Sequence, residues 1–196
     1  MKTIIFDFDG VLIDSYNFSF NTVKEVDCDI SEEDFKAHHD GNVLDNPKVL
    51  TTNEKKVYWN NKYFKNVNNL NQFFSLDEIK FLNSKFELFI ISSNEEDIIK
   101  KFLSYKELDY FGEVLGAKFN NSKIVKFNYL FNKYDLKVDD CVFISDTLGD
   151  ILEGHKVGIK TIAVDFGYHN KKRLEKGEPF KIVSNFDELL EILKIM

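Results

Sequence analysis

Asp7 and Asp9 stand two residues apart, directly after the apolar run Thr3–Phe6. Carboxylates held this close repel, and a proton or a cation has to settle the balance. Mg²⁺ does so well, because it is a hard ion that takes few carboxylates and keeps several waters. A third acid, Asp146, follows the apolar run Cys141–Ile144, with Thr147 next and Asp150 one turn further on. A phosphate oxygen and waters would complete the octahedron around such an ion. Ser92 follows Leu88–Ile91 and is expected to donate a hydrogen bond to another phosphoryl oxygen. A lysine is also required, to offset the anionic charge and stabilise a transferring group. Lys123, in Asn121-Ser122-Lys123-Ile124, stands where a loop leads into a helix and meets that need.

These residues need a frame that brings them together. Thr3–Phe6, Leu88–Ile91, Cys141–Ile144, Thr161–Val164 and Lys181–Val183 are short apolar runs without polar alternation, the pattern of strands covered on both faces. Helical spacing lies between them, as in Ile98, Ile99, Phe102 and Leu103, and in Ile124, Phe127, Leu130 and Phe131. The expected fold is α/β, an open, mostly parallel sheet with helices on both faces. In such sheets ligands bind at the carboxyl ends of the strands, where Asp7, Asp9, Ser92, Asp146 and Asp150 fall. The stretch after the first strand has no strand run. Ser31-Glu32-Glu33-Asp34 reads as a capped helix start, and Trp59, Tyr63 and Phe64 as part of another helix. We divide the chain into a core of residues 1–14 and 81–196 and a helical insertion of residues 15–80.

Each signal has a plainer reading when taken alone. Asp9-Gly10 is a common turn pair, and Ser92-Ser93-Asn94-Glu95-Glu96 would cap a helix. Lys123 would be a solvated surface lysine, and Asp150 a first-turn acid. Only their conjunction carries weight. Ser93 remains an alternative to Ser92, and Lys118 and Lys126 remain alternatives to Lys123. His38-His39-Asp40 hints at metal, but adjacent histidines do not share a helix face. Tyr168-His169 reads as structural or peripheral.

Composition bounds the partners. With 43% apolar residues in 196, the chain can build a substantial core, and its net charge of −7 counts against nucleic-acid binding. The first apolar run is cut at once by Asp7 and Asp9, so it reads neither as a signal peptide nor as a membrane span, and a cytoplasmic location is expected. Cys28 and Cys141 do not suggest a disulfide framework.

Asp7-Phe8-Asp9-Gly10-Val11 resembles the first motif of the haloacid dehalogenase-like hydrolases. Ser92 is similar to their second motif, Lys123 to their third, and Asp146 with Asp150 to their fourth. The motifs occur in family order across nearly the whole chain, although the Lys-Pro pair common at the third is absent. The resemblance implies a Rossmann-like sheet with a helical cap inserted after the first strand. It implies that Asp7 attacks phosphorus, and that Asp9 protonates the leaving alcohol and later deprotonates water. Mg²⁺ would be held by Asp7, Asp146 and the backbone carbonyl of Asp9, with Asp150 in support. Ser93 and Asn94, and Gly41 with Asn42 in a loop of the cap, are expected to touch the substrate. Relatives that cleave carbon–halogen bonds lack the acid found here at position 9, so a phosphatase of small phosphorylated metabolites is expected. A phosphomutase of the same family is the alternative. A phospho-receiver domain gathers similar residues but in another order.

Overall fold

The expected strand runs become five strands of one parallel sheet, and a sixth joins them at one edge. A computed structural model describes residues 2–44 and 49–196. The strands are β1 (Lys2–Phe6), β2 (Phe86–Ile91), β3 (Phe111–Leu115), β4 (Cys141–Ser145), β5 (Lys160–Val164) and β6 (Lys181–Val183). They lie side by side as β3-β2-β1-β4-β5-β6, all parallel. The order reverses between β1 and β4, which opens a crevice at their carboxyl ends.

Strand residues alternate between the two faces, and each face is covered. Ile4, Phe6, Leu88, Ile90, Val142 and Ile144 pack with residues of α4 (Leu76–Asn83), α5 (Glu96–Tyr105) and α9 (Phe186–Ile195). Ile5, Phe89, Ile91 and Phe143 point the other way, onto Phe127 and Leu130 of α6 (Lys123–Lys133). Ala163 meets Ile151 of α7 (Leu148–Val157) and Leu174 of α8 (Lys171–Leu174). Burying each such side chain stabilises the fold by about 1.5–3 kcal/mol.

β3 is absent from the sequence reading, for a physical reason. Its sequence Phe-Gly-Glu-Val-Leu lies at the sheet edge, where only Leu115 is buried. Glu113, beside Phe89, turns its carboxylate to Tyr129 and Lys133 of α6 and to Tyr134, so a charge stands where an apolar residue would pack. A charged, short edge strand discourages pairing with another chain and leaves no apolar run to read.

Between β1 and β2 the chain forms α1 (Tyr16–Val26), α2 (Glu32–His38), α3 (Asn53–Asn66) and then α4. Ser31 caps α2 through the Asp34 N–H, as its sequence suggests. The outgoing and returning chains pair: Asp14 N–H donates to Asn71 C=O at 2.8 Å, and Phe73 N–H to Leu12 C=O at 3.1 Å. Ile13 and Gln72 thus form an isolated antiparallel bridge outside the sheet. α4, assigned in part to the insertion from sequence, buries Ile79 and Leu82 in the cluster that covers the sheet. No described helix is long and apolar enough to cross a membrane.

Candidate active site

Asp7 leaves the end of β1 with its N–H on Ile144 C=O at 2.9 Å, so the sheet ladder fixes its backbone. One carboxylate oxygen accepts the Phe8 N–H at 2.6 Å, and the other accepts Lys123 Nζ at 2.7 Å. Lys123 is the first residue of α6, is 1% exposed, and also donates to Asp150 at 2.5 Å. Asp150 accepts the Ser145 hydroxyl at 2.6 Å. Burial opposes the lysine charge, but Asp150 and Asp7 outweigh it and hold the Lys123 pKa above its ordinary value. The rival lysines go elsewhere. Lys118 is exposed, and Lys126 is buried with its ammonium on the Ser92 carbonyl at 2.5 Å.

Asp9 accepts hydrogen bonds from Tyr63 on one oxygen and from Asn94 Nδ2, at 2.8 Å, on the other. Burial raises its pKa, while Tyr63, Ser15 and Asn94 pull it down. Gly10 turns the chain with φ +71°, and a Cβ there would lie 1.9 Å from Asp146 Oδ2. Only glycine allows the Asp7–Asp9 loop to pass this close to Asp146.

Ser92 is buried, with its N–H on Leu115 C=O at 2.9 Å and its hydroxyl accepting the Asn94 N–H at 3.1 Å. It does not cap α5; Glu95 holds that position, without a side-chain capping bond. Asp146 sits beyond β4, fully buried, with Oδ2 accepting the Tyr168 N–H at 2.7 Å. Burial pushes its pKa up to about 8, against that N–H bond. Asp7, Asp9, Ser92, Ser93, Asn94, Lys123, Asp146, Asp150, Gly41 and Asn42 all line one cavity of about 190 Å³.

Comparison with known proteins gives this arrangement a lineage. Residues 4–164 match the family model described as haloacid dehalogenase-like hydrolase. The chain belongs to that family. Phosphoglycolate phosphatase of Haemophilus influenzae is 24% identical over 158 residues, which cover 74% of this chain and 70% of that one. The enzyme of the same name from Vibrio parahaemolyticus is 27% identical over 89 residues, 44% of this chain and only 39% of its own length. A crystal structure of a predicted phosphatase from Clostridium acetobutylicum superposes with a TM-score of 0.82 at 19% identity, covering 100% of this chain and 99% of that one. That likeness shows a shared fold.

Phosphatases of this family generally use Mg²⁺, and the residues of this hydrolase fit such an ion. Asp146 Oδ1 is buried without a hydrogen-bond partner, and burying a polar oxygen unpaired is costly. Lys123 is hydrogen-bonded to Asp7 and Asp150, and the nearby Lys126 places its ammonium on the Ser92 carbonyl, so among the described residues Asp7, Asp146 and Asp150 meet one directly bonded cation. Among the described residues no three His, Cys, Asp or Glu side chains form a metal cage. Mg²⁺ does not need one, since two carboxylates, a backbone carbonyl and waters suffice.

The site also contains residues that the sequence reading did not place in it. Tyr63, read only as part of a helix, reaches down from α3 to Asp9. Tyr168 lines the cavity. His169, fully buried, accepts the Leu148 N–H on Nδ1 at 3.0 Å and donates from Nε2 to Lys36 C=O at 2.8 Å. His169 thus plays the structural part expected of it, tying the start of α7 to α2, while Tyr168 beside it reaches the cavity. Glu153, one helical turn beyond Asp150, accepts the Lys123 N–H at 3.1 Å and Asn42 Nδ2 at 3.2 Å, joining the Gly41-Asn42 loop to α6. Its i+3 spacing from Asp150 was the available signal. Among the described residues His38 and His39 belong to no group of three or more potential metal ligands. His39 Nδ1 engages Phe35 C=O at 2.9 Å, and burial lowers its pKa to about 3.

Proposed function

We propose that this protein is a Mg²⁺-dependent phosphatase that hydrolyses a small phosphate monoester through a phosphoryl group carried on Asp7. The observation that supports this most strongly is the convergence of Asp7, Asp9, Lys123 and Asp146 on one cavity at the crevice between β1 and β4. The names of the bacterial phosphoglycolate phosphatases point the same way.

In this mechanism the Asp7 carboxylate attacks phosphorus in line, and the bond to the leaving oxygen breaks. Asp9, whose pKa is raised by burial, gives its proton to that oxygen. Now a base, it takes a proton from water, which attacks phosphorus and frees Asp7. Tyr63 and Asn94 hold the ionised form of Asp9 between these steps. Lys123 and Ser92 donate to the phosphoryl oxygens. Asp150 positions Lys123. Mg²⁺, held by Asp7, Asp146 and the Asp9 carbonyl, would supply charge neutralisation to the phosphoryl group.

We assign α1–α3 as a cap over this centre, with the Gly41-Asn42 loop and Ser93 and Asn94 contacting the substrate. Backbone contact between His39 C=O and Gly149 N–H, 3.0 Å, seats that loop on α7. The test is turnover of acetyl phosphate with Mg²⁺, together with acid quench and mass spectrometry of the Asp7 peptide. Absence of a phosphorylated Asp7 in a turning-over enzyme would sink the covalent route.

A further inference from the structure

Helix α7 holds Lys123 at both ends of that residue. Asp150 accepts its ammonium at 2.5 Å, and Glu153, one turn further along the same helix, accepts its backbone N–H at 3.1 Å. Residues three apart on a helix share a face, so both acids meet the first turn of α6. The N–H groups of that turn have no partner within their own helix. Ser122 stands at the capping position of α6 and makes no side-chain capping bond. Glu153, 6% exposed, supplies the cap from α7 instead, and its Oε1 accepts the Ser122 hydroxyl as well, at 3.3 Å.

The same oxygen holds the loop that follows α2. Asn42 Nδ2 donates to Glu153 Oε1 at 3.2 Å and to Asn121 C=O at 3.1 Å, while Asn42 Oδ1 accepts the Leu44 N–H at 2.9 Å. The residues before Asn42 lie on the same part of the fold. His39 C=O accepts the Gly149 N–H at 3.0 Å. A Cβ on Gly149 would fall 2.4 Å from the Gly41 carbonyl oxygen, so the two backbones touch there. Asp40 takes two hydrogen bonds from Arg173 of α8, at 2.6 and 2.7 Å. Loop and lysine therefore share an anchor. A carboxylate held by donors from both sides has its rotamer set by both, and loss of the Asn42 donor frees Glu153 to turn away from the Lys123 N–H. Displacing a catalytic group by about 1 Å can cost about a hundredfold in rate.

We infer that Glu153 is a positioning residue that sets Lys123 against Asp7 and makes this placement depend on the seating of residues 39–42. The catalytic part of Lys123 rests on the proposed phosphatase reading; the link between loop and lysine does not.

Hydrogen exchange at the Lys123 amide, followed by NMR on the whole chain, reads the link without turnover. Glu153→Ala should speed that exchange at least about tenfold, and Asn42→Ala, which leaves Glu153 in place, should speed it about threefold or more. Acetyl phosphate turnover with Mg²⁺ and the urea midpoint are measured on the same preparations. Glu153→Ala should lower kcat at least about tenfold, and Glu153→Gln, which keeps an accepting oxygen, should stay within about threefold of the unsubstituted protein. A purely structural Glu153 would move the midpoint and leave kcat of the folded protein unchanged, which overturns the inference. So does a Lys123 amide indifferent to Asn42→Ala, and that measurement decides alone if Glu153→Ala does not fold. Absence of turnover in the unsubstituted protein would count against the phosphatase reading, with the exchange rate left to judge the link.

Discussion

The Lys123 ammonium lies 2.7 Å from the Asp7 carboxylate, with both side chains almost wholly out of water. It also touches Asp150 at 2.5 Å, so one cation serves two buried acids. Removing it leaves Asp7 and Asp150 uncompensated, which typically costs about 3–5 kcal/mol in folding. Lys123→Met is expected to lower turnover at least about a hundredfold and to shift the urea midpoint downward. Steady-state rates and equilibrium unfolding on the same preparation check both. An unchanged midpoint would show that the pair is not needed for folding.

Asp9→Asn keeps the hydrogen-bonding size of the side chain but removes its proton. Alkyl phosphates, whose leaving oxygen needs that proton, should lose about 10²–10⁴-fold in rate. Acetyl phosphate, with a far better leaving group, should lose much less. A uniform loss across both substrates would argue that Asp9 has another role.

Chelation with EDTA should abolish turnover, and Mg²⁺ should restore it. Asp146→Asn should raise the Mg²⁺ concentration needed for half-maximal activity by about 10–100-fold, since one of the two carboxylate ligands becomes neutral. Titration of activity against free Mg²⁺ reads this directly.

Stability should fall in acid because of His39. Its pKa is near 3 in the fold, against 6.5 in the unfolded chain, with burial as the leading cause. The unfolded chain therefore binds a proton that the fold refuses. The stabilisation is complete above pH 6.5 and is lost as pH falls toward 3, at up to about 1.4 kcal/mol per pH unit. His39→Asn should flatten this slope relative to the unsubstituted protein. Denaturant midpoints measured from pH 7 down to pH 4 would show it, and parallel slopes would refute it.

Lys126 offers a test of how Ser92 is held. Its ammonium, fully buried, binds the Ser92 carbonyl at 2.5 Å, and burial lowers its pKa to about 8. Lys126→Met leaves that carbonyl without its donor, at a cost of about 1–3 kcal/mol. The variant should unfold at lower urea and show a raised KM for any phosphate ester.

Much of this was legible in the sequence, because strand ends carry both an apolar run and the polar residues beyond it. Asp7, Asp9, Ser92 and Asp146 each follow such a run, and the parallel order then brings them together. β3 was not legible, since an edge strand carrying Gly112 and Glu113 buries too little to leave a pattern. Tyr63 was hidden for another reason. Its partner Asp9 is 54 residues away, and nothing local in α3 announces a contact that only the tertiary fold creates. The identity of the lysine also needed the fold, because Lys118, Lys123 and Lys126 differ by a few positions along the chain but go to solvent, to Asp7 and to Ser92.

The backbone pairing of Leu12–Asp14 with Asn71–Phe73 closes the helical segment at its base. Its two ends are clipped to each other by backbone hydrogen bonds, which no side-chain change removes. Whatever lies between them can lengthen, shorten or be repacked while the spacing of its ends stays fixed, and the entropy of the closed loop grows only slowly with length. Residues between these ends can therefore change while the spacing of the ends is kept, provided that Tyr63, which donates to Asp9, and the His39 carbonyl, which accepts the Gly149 N–H, are retained. Grafting experiments between relatives have a natural pair of cut sites here.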